Sequence, residues 1–198
     1  SESRVTWQPL RSRRSTGRCP IKIMIGHDRR AVQLLWRAAT HNLDTSRRVG
    51  RLHEVLAALG QEQVQVALLQ GSRWGSTSSV QKASSAFITT VGTTRWQIWS
   101  WHTTSADPAG GVLIAIRAEL LADLAVSSGE AVAGRAGWGR LKHDHLDVTF
   151  VTAYIPPGQG PRSRGAQALG RFEQWLAQRP TRTALVIGGD LNCRLGTA

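Results

Sequence analysis

The chain has 198 residues, 41% of them apolar, and a net charge of +12 from 25 Lys and Arg against 13 Asp and Glu. That length suits one domain with its own core, and no apolar run nears the ~18 residues of a membrane-spanning helix. Two cysteines, Cys19 and Cys193, exclude a disulfide framework, and no Cys/His spacing suits zinc.

The chain starts at Ser1, without the charged head, apolar stretch and cleavage site of a leader. It reads as a fragment or a processed product. Residues 1–30 carry eight Lys or Arg against two acids, half of the net charge. Residues 1–33 therefore read as a basic, disordered arm, able to attract phosphate backbones without sequence preference. A solvated linker is the plainer alternative. Residues 34–198 form the folded part.

Leu34–Thr40 reads as a strand leading to His41 and Asn42. Arg47–Gly60 follows as a helix, with Leu52, Val55, Leu56 and Leu59 at i, i+3, i+4 and i+7. Val64–Leu69, apolar except for Gln65, reads as a buried strand ending at Gln70, Gly71, Ser72, Arg73 and Trp74. Ala86–Val91 and Arg95–His102 form a hairpin around Gly92, and Gly111–Ile116 is a third strand. Trp138–Leu141 and Leu146–Tyr154 form a second hairpin, turning at His143, Asp144 and His145. Gly165–Gln178 reads as a helix with Leu169, Phe172, Trp175 and Leu176 on one face. Ala184–Ile187 is a last buried strand, and Gly188 and Gly189 turn it toward Asp190, Leu191 and Asn192. Strand–helix–strand units at both ends of a meander predict an α/β sandwich.

Four strand ends thus carry polar groups: Asn42, Gln70, Tyr154 and the Asp190/Asn192 pair. A carboxylate and amides at strand mouths suit a site that orients water and holds phosphate oxygens. In this order the segments resemble the endonuclease/exonuclease/phosphatase superfamily over about residues 36–196. They are most similar to the apurinic-endonuclease-like group, with LINE-type retrotransposon and craniofacial-development-protein-like endonucleases.

The resemblance implies a four-layer α/β/β/α sandwich, here partial and lacking its closing strands. It implies magnesium- or manganese-dependent phosphodiester hydrolysis in nucleic acid, DNA above all. It gives Asn42 a supporting role at the metal and phosphate, and aims the Tyr154 hydroxyl at the scissile phosphate. Asp190 positions or deprotonates the attacking water, and Asn192 hydrogen-bonds a phosphate oxygen.

Two departures put activity in doubt. Gly71 stands where relatives carry the metal-binding glutamate, and glycine offers no side-chain oxygen. The closing Ser-Asp-His-type segment is also missing, since His27, His41, His53, His102, His143 and His145 all precede Asp190. An impaired nuclease is therefore expected, poorly folded or associating when alone. A degenerate nucleic-acid-binding remnant and a phosphoinositide or other phosphoesterase are the alternatives.

Arg73 and Trp74 are weaker candidates for nucleic-acid contact. Asp144-His145 reads as a solvated turn, His41 as a tolerated neighbour of Asn42, and Trp36, Trp99, Trp101, Trp138 and Trp175 as packing residues. Nothing in the sequence marks a protein partner, and the nucleus or cytosol is the expected compartment.

Overall fold

The computed structural model describes residues 5–6, 17–25, 32–43, 50–72, 84–102, 110–144, 146–158, 160, 162–179 and 182–192. Eleven strands and two helices follow in chain order among them. They are β1 (Val5–Thr6), β2 (Gly17–Ile25), β3 (Val32–Asn42), α1 (Arg51–Gln61) and β4 (Val66–Gln70). Next come β5 (Ser84–Val91), β6 (Thr94–Trp101), β7 (Val112–Arg117), β8 (Ala125–Val132) and β9 (Ala136–His143). β10 (Leu146–Tyr154), α2 (Arg164–Ala177) and β11 (Ala184–Asp190) complete the set, and a 3-10 turn (Ala118–Leu121) links β7 to β8.

The strands make two sheets. One has the order β1-β2-β3-β4-β7-β6-β5 and the other β11-β10-β9-β8. β3 and β4 run parallel, as do β10 and β11, because α1 and α2 make the crossovers. The other pairings are antiparallel.

Period-two alternation sorts β4 between two interiors. Val66 and Leu68 face the second sheet, where they meet Trp36, Ile114, Val148, Phe150 and Val186. Ala67 and Leu69 face α1, where Leu52, Val55, Leu56 and Leu59 cover them. A third interior lies under α2, where Phe172 packs on Val132, Ala136, Val151 and Ala153. Three interiors between four layers are the α/β/β/α sandwich that the sequence led us to expect. Among the described residues, no helix is long and apolar enough to cross a membrane.

Local chemistry fixes the helices. α2 starts at Ser163, whose hydroxyl accepts from the Ala166 amide at 3.1 Å. α1 ends under Arg117, which donates to the carbonyls of Gly60 (2.9 Å) and Val64 (2.8 Å).

Four differences from the sequence reading stand out. Ala184–Ile187, expected as a buried strand, lies in β11 at the edge of its sheet, where Val186 is buried but Ile187 is exposed. β2 pairs with β3 from Gly17 to Ile25, inside the stretch expected to be an arm. Ile21, Ile23 and Ile25 alternate there with Lys22 and Met24, a strand pattern. β8 was not expected, since Ala125–Val132 mixes small, polar and apolar residues and buries only Val132, which leaves no hydrophobic period. β9 begins two residues before the expected strand.

Candidate functional site

The parity that sorts the core also aims the polar strand ends. Asn42 continues the face of Trp36, Ala38 and Thr40, which looks toward the second sheet. Asp190 continues the face of Ala184 and Val186, which looks back. The Asn42 Nδ2 donates to Asp190 Oδ2 at 2.9 Å, closing a contact between residues 148 apart in the chain.

Gly188 and Gly189 allow that approach. A Cβ on Gly188 would sit 2.7 Å from a Leu68 methyl, and one on Gly189 only 2.2 Å from the Ala153 carbonyl oxygen. Neither position has room for a side chain.

Tyr154 pairs in register with Asp190 on the adjacent strand and shares its face. Its amide donates to the Arg135 carbonyl at 2.7 Å. The buried Arg135 guanidinium lies 5.2 Å from the phenol ring centre. This cation beside Tyr154 was missed in the sequence, where the polar edge strand before it gave no reason to bring the β8–β9 turn to the rim. Asn42, Tyr154 and Asp190 thus meet at one end of the cleft between the sheets.

Asn192 sits at the same end with a left-handed φ of 44°. Its backbone amide donates to Asp190 Oδ1 at 3.2 Å, and its Nδ2 donates to the Ile155 carbonyl at 2.9 Å. One of its two amide protons is therefore committed to holding the loop. Both carboxylate oxygens of Asp190 accept a hydrogen bond, and each keeps a lone pair for water.

Gln70 and Gly71 lie on the other wall. Gln70 is 1% exposed, and its Nε2 donates to Thr40 Oγ1 (3.1 Å), the Leu68 carbonyl (2.8 Å) and Thr152 Oγ1 (3.0 Å). Thr152 donates onward to the Leu69 carbonyl at 3.1 Å. Gln70 therefore ties the sheets together rather than facing solvent. Gly71 is buried with a φ of 70°, a conformation that costs an L side chain ~1–2 kcal/mol.

The divalent cation implied by the resemblance does not fit the described donors. Among the described residues Asp190 is the one carboxylate at the rim, the Asn42 oxygen is a neutral donor, and Gly71 has no side-chain oxygen. Among the described residues, no three His, Cys, Asp or Glu gather as a metal group. Magnesium prefers carboxylates and water in an octahedron.

The weaker candidates fall elsewhere. His41 has Ala39 parity and lies on the α1 side, away from Asn42. Burial, and to a lesser degree the charge of Arg51, hold its pKa below the usual 6.5. Asp144 is an exposed turn residue. Trp36 stacks on Phe150 at 5.8 Å and Trp101 is buried between the sheets, while Trp138 and Trp175 stack at 6.4 Å under α2. Arg73, Trp74, His145 and Cys193 lie outside the described residues.

The sequence matches the model of the endonuclease/exonuclease/phosphatase family over residues 36–197. No curated protein matches it. The catalytic domain of Xenopus laevis APE2 is similar at a TM-score of 0.52 and 14% identity, covering 79% of this chain and 58% of that one. The endonuclease domain of TRAS1, a telomere-specific non-LTR retrotransposon, gives 0.48 and 17%, covering 80% and 60%. An AP endonuclease from Archaeoglobus fulgidus gives 0.48 and 19%, covering 79% and 57%. The chain spans about three-fifths of each of these structures. With the family pattern running from β3 to beyond Asn192, and the two-sheet sandwich shared with the APE2 domain, the chain belongs to the endonuclease/exonuclease/phosphatase family.

Proposed function

We propose that the rim of Asn42, Tyr154 and Asp190 is a phosphodiester-hydrolysing site of the nuclease type, acting on nucleic acid and above all on DNA. One observation carries the reading: the 2.9 Å bond between Asn42 and Asp190, with Tyr154 in register beside it. Asp190 is held by its neighbours with lone pairs to spare, so it can orient a water and take its proton. Tyr154 offers a hydroxyl donor on the same face, where charge develops on phosphoryl oxygens. The +12 charge supports a polyanionic substrate by attraction at long range.

The rate is low in this reading, because among the described residues no second carboxylate stands beside Asp190, and Gly71 brings no side-chain oxygen to that wall. The nucleus or cytosol, where Cys19 and Cys193 stay reduced, is the proposed compartment. Gly71 also favours a second reading, in which the chain binds nucleic acid without cutting it.

Plasmid nicking across magnesium and manganese concentrations separates the two readings. Slow nicking that disappears in Asp190→Ala supports hydrolysis. Salt-sensitive DNA binding that survives chelation, with the strand intact at every metal concentration, overturns hydrolysis in favour of binding. Hydrolysis of a soluble phosphoinositide with none of DNA would move the substrate class.

A further inference from the structure

The outer face of the second sheet carries a cavity of about 290 Å³, beneath the last turn of α2. It lies toward the start of β10, on the face opposite to that of Tyr154 and Asp190. Trp138 and Thr149 line it from the sheet, Ser127 from β8, and Trp175, Gln178 and Arg179 from the end of α2. The two indoles are stacked with 30° between their planes, and the Arg179 guanidinium lies 5.2 Å over the Trp175 ring.

The charges in this cavity do not cancel. Arg140 also lines it, but Asp147 takes both of its contacts, at 2.7 Å to Nε and 2.5 Å to one terminal nitrogen. Among the described residues, Arg179 makes no ion pair. Desolvation, then the like charge of Arg140, push the Arg179 pKa below the ordinary arginine value, while Asp147 acts weakly the other way. A half-buried cation held against its own repulsion gains when an anion arrives.

The walls narrow the kind of anion. Guanidinium forks match the oxygens of phosphate, and indole walls favour a flat aromatic ring. The hydroxyls of Ser127 and Thr149 and the amide of Gln178 can meet a polar ring edge. The volume is at the low end for small-molecule sites and suits one nucleotide rather than a strand.

We infer that this cavity binds a nucleoside monophosphate, with its phosphate on Arg179 and its base against the Trp138–Trp175 wall. This inference does not rest on the proposed hydrolysis at the other rim.

The test titrates the whole chain with AMP, adenosine and inorganic phosphate, followed by tryptophan fluorescence and calorimetry. AMP is expected to bind and quench fluorescence, and to bind at least tenfold more weakly to Arg179→Gln. Ser127→Phe, a substitution on an exposed strand, is expected to block the cavity. Both variants should keep the parent's thermal transition, and Asp190→Asn should leave AMP binding unchanged. Failure of AMP to bind at millimolar concentration overturns the inference. So does binding untouched by either cavity variant, or equal competition from phosphate or adenosine. An AMP signal lost in Asp190→Asn but kept in Arg179→Gln puts the nucleotide at the rim, which also overturns it.

Discussion

The two walls of the cleft are built alike but equipped differently. The β10–β11 wall presents Tyr154 and Asp190 side by side, with Arg135 against the phenol and the Asn192 amide on the carboxylate. The β3–β4 wall presents Asn42, but its next strand ends in a buried Gln70 and a bare Gly71. Under the proposed function, the half of the site that handles water is in place and the half that would hold a cation is depleted. Packing and chemistry have therefore come apart at β4: Gln70 still fastens the sheets while the residue after it supplies no ligand.

Substitutions can break or sharpen this contrast. The largest effect is expected at Asp190, where Asp190→Ala should lower any nicking by about 10²- to 10⁴-fold, the usual worth of a general base. Equal nicking by parent and variant would remove Asp190 from the chemistry.

Gly189→Ala should cost ~1–3 kcal/mol in a denaturant titration, because the new methyl meets the Ala153 carbonyl. A neutral result would mean that β10 and β11 separate more easily than their register implies.

Far from the rim, the Arg140–Asp147 pair should matter less, below ~1 kcal/mol for side chains this near the surface. The hydrogen bond from Arg140 holds the Asp147 pKa below its usual 3.8, aided by the guanidinium charge. Its contribution is thus complete above that value and lost as pH falls through the lower, folded one. Stability curves of the parent and Asp147→Asn should converge under acid, and a gap that persists there would contradict the pairing.

His41 should give the smallest effect. Its folded pKa lies below 6.5, so the unfolded chain takes the proton first as pH drops under that value. The parent should lose stability relative to His41→Leu in that window and keep a constant difference above it.

Much of this architecture was legible because burial writes itself into periodicity. The apolar run before Gln70 marked a strand covered on both faces, and β4 is one. The run before Gly188 did not keep that promise, because β11 lies at the edge of its sheet, with Val186 buried and Ile187 37% exposed. The Leu52–Leu59 pattern marked the face that α1 buries. The convergence of Asn42, Tyr154 and Asp190 was legible only through the ordered resemblance, since no local pattern links residues 148 apart.

Other features left no such trace. β8 buries almost nothing, so its residues carry no period. Gln70 reads as a weak ligand in sequence, and only the contacts with Thr40 and Thr152 show it to be structural. The Arg140–Asp147 pair could have been found, because the pairing of Asp147 with Lys142 and of Thr149 with Arg140 places the two diagonally across β9 and β10.

Gly71→Glu tests the depleted wall most directly, with manganese affinity by calorimetry and plasmid nicking read on the same folded sample. The left-handed φ at this position should cost ~1–2 kcal/mol of stability. Manganese binding should nevertheless tighten at least tenfold and nicking should rise, and both gains should vanish on adding Asp190→Ala. A folded Gly71→Glu chain with unchanged metal affinity and unchanged nicking would contradict the account.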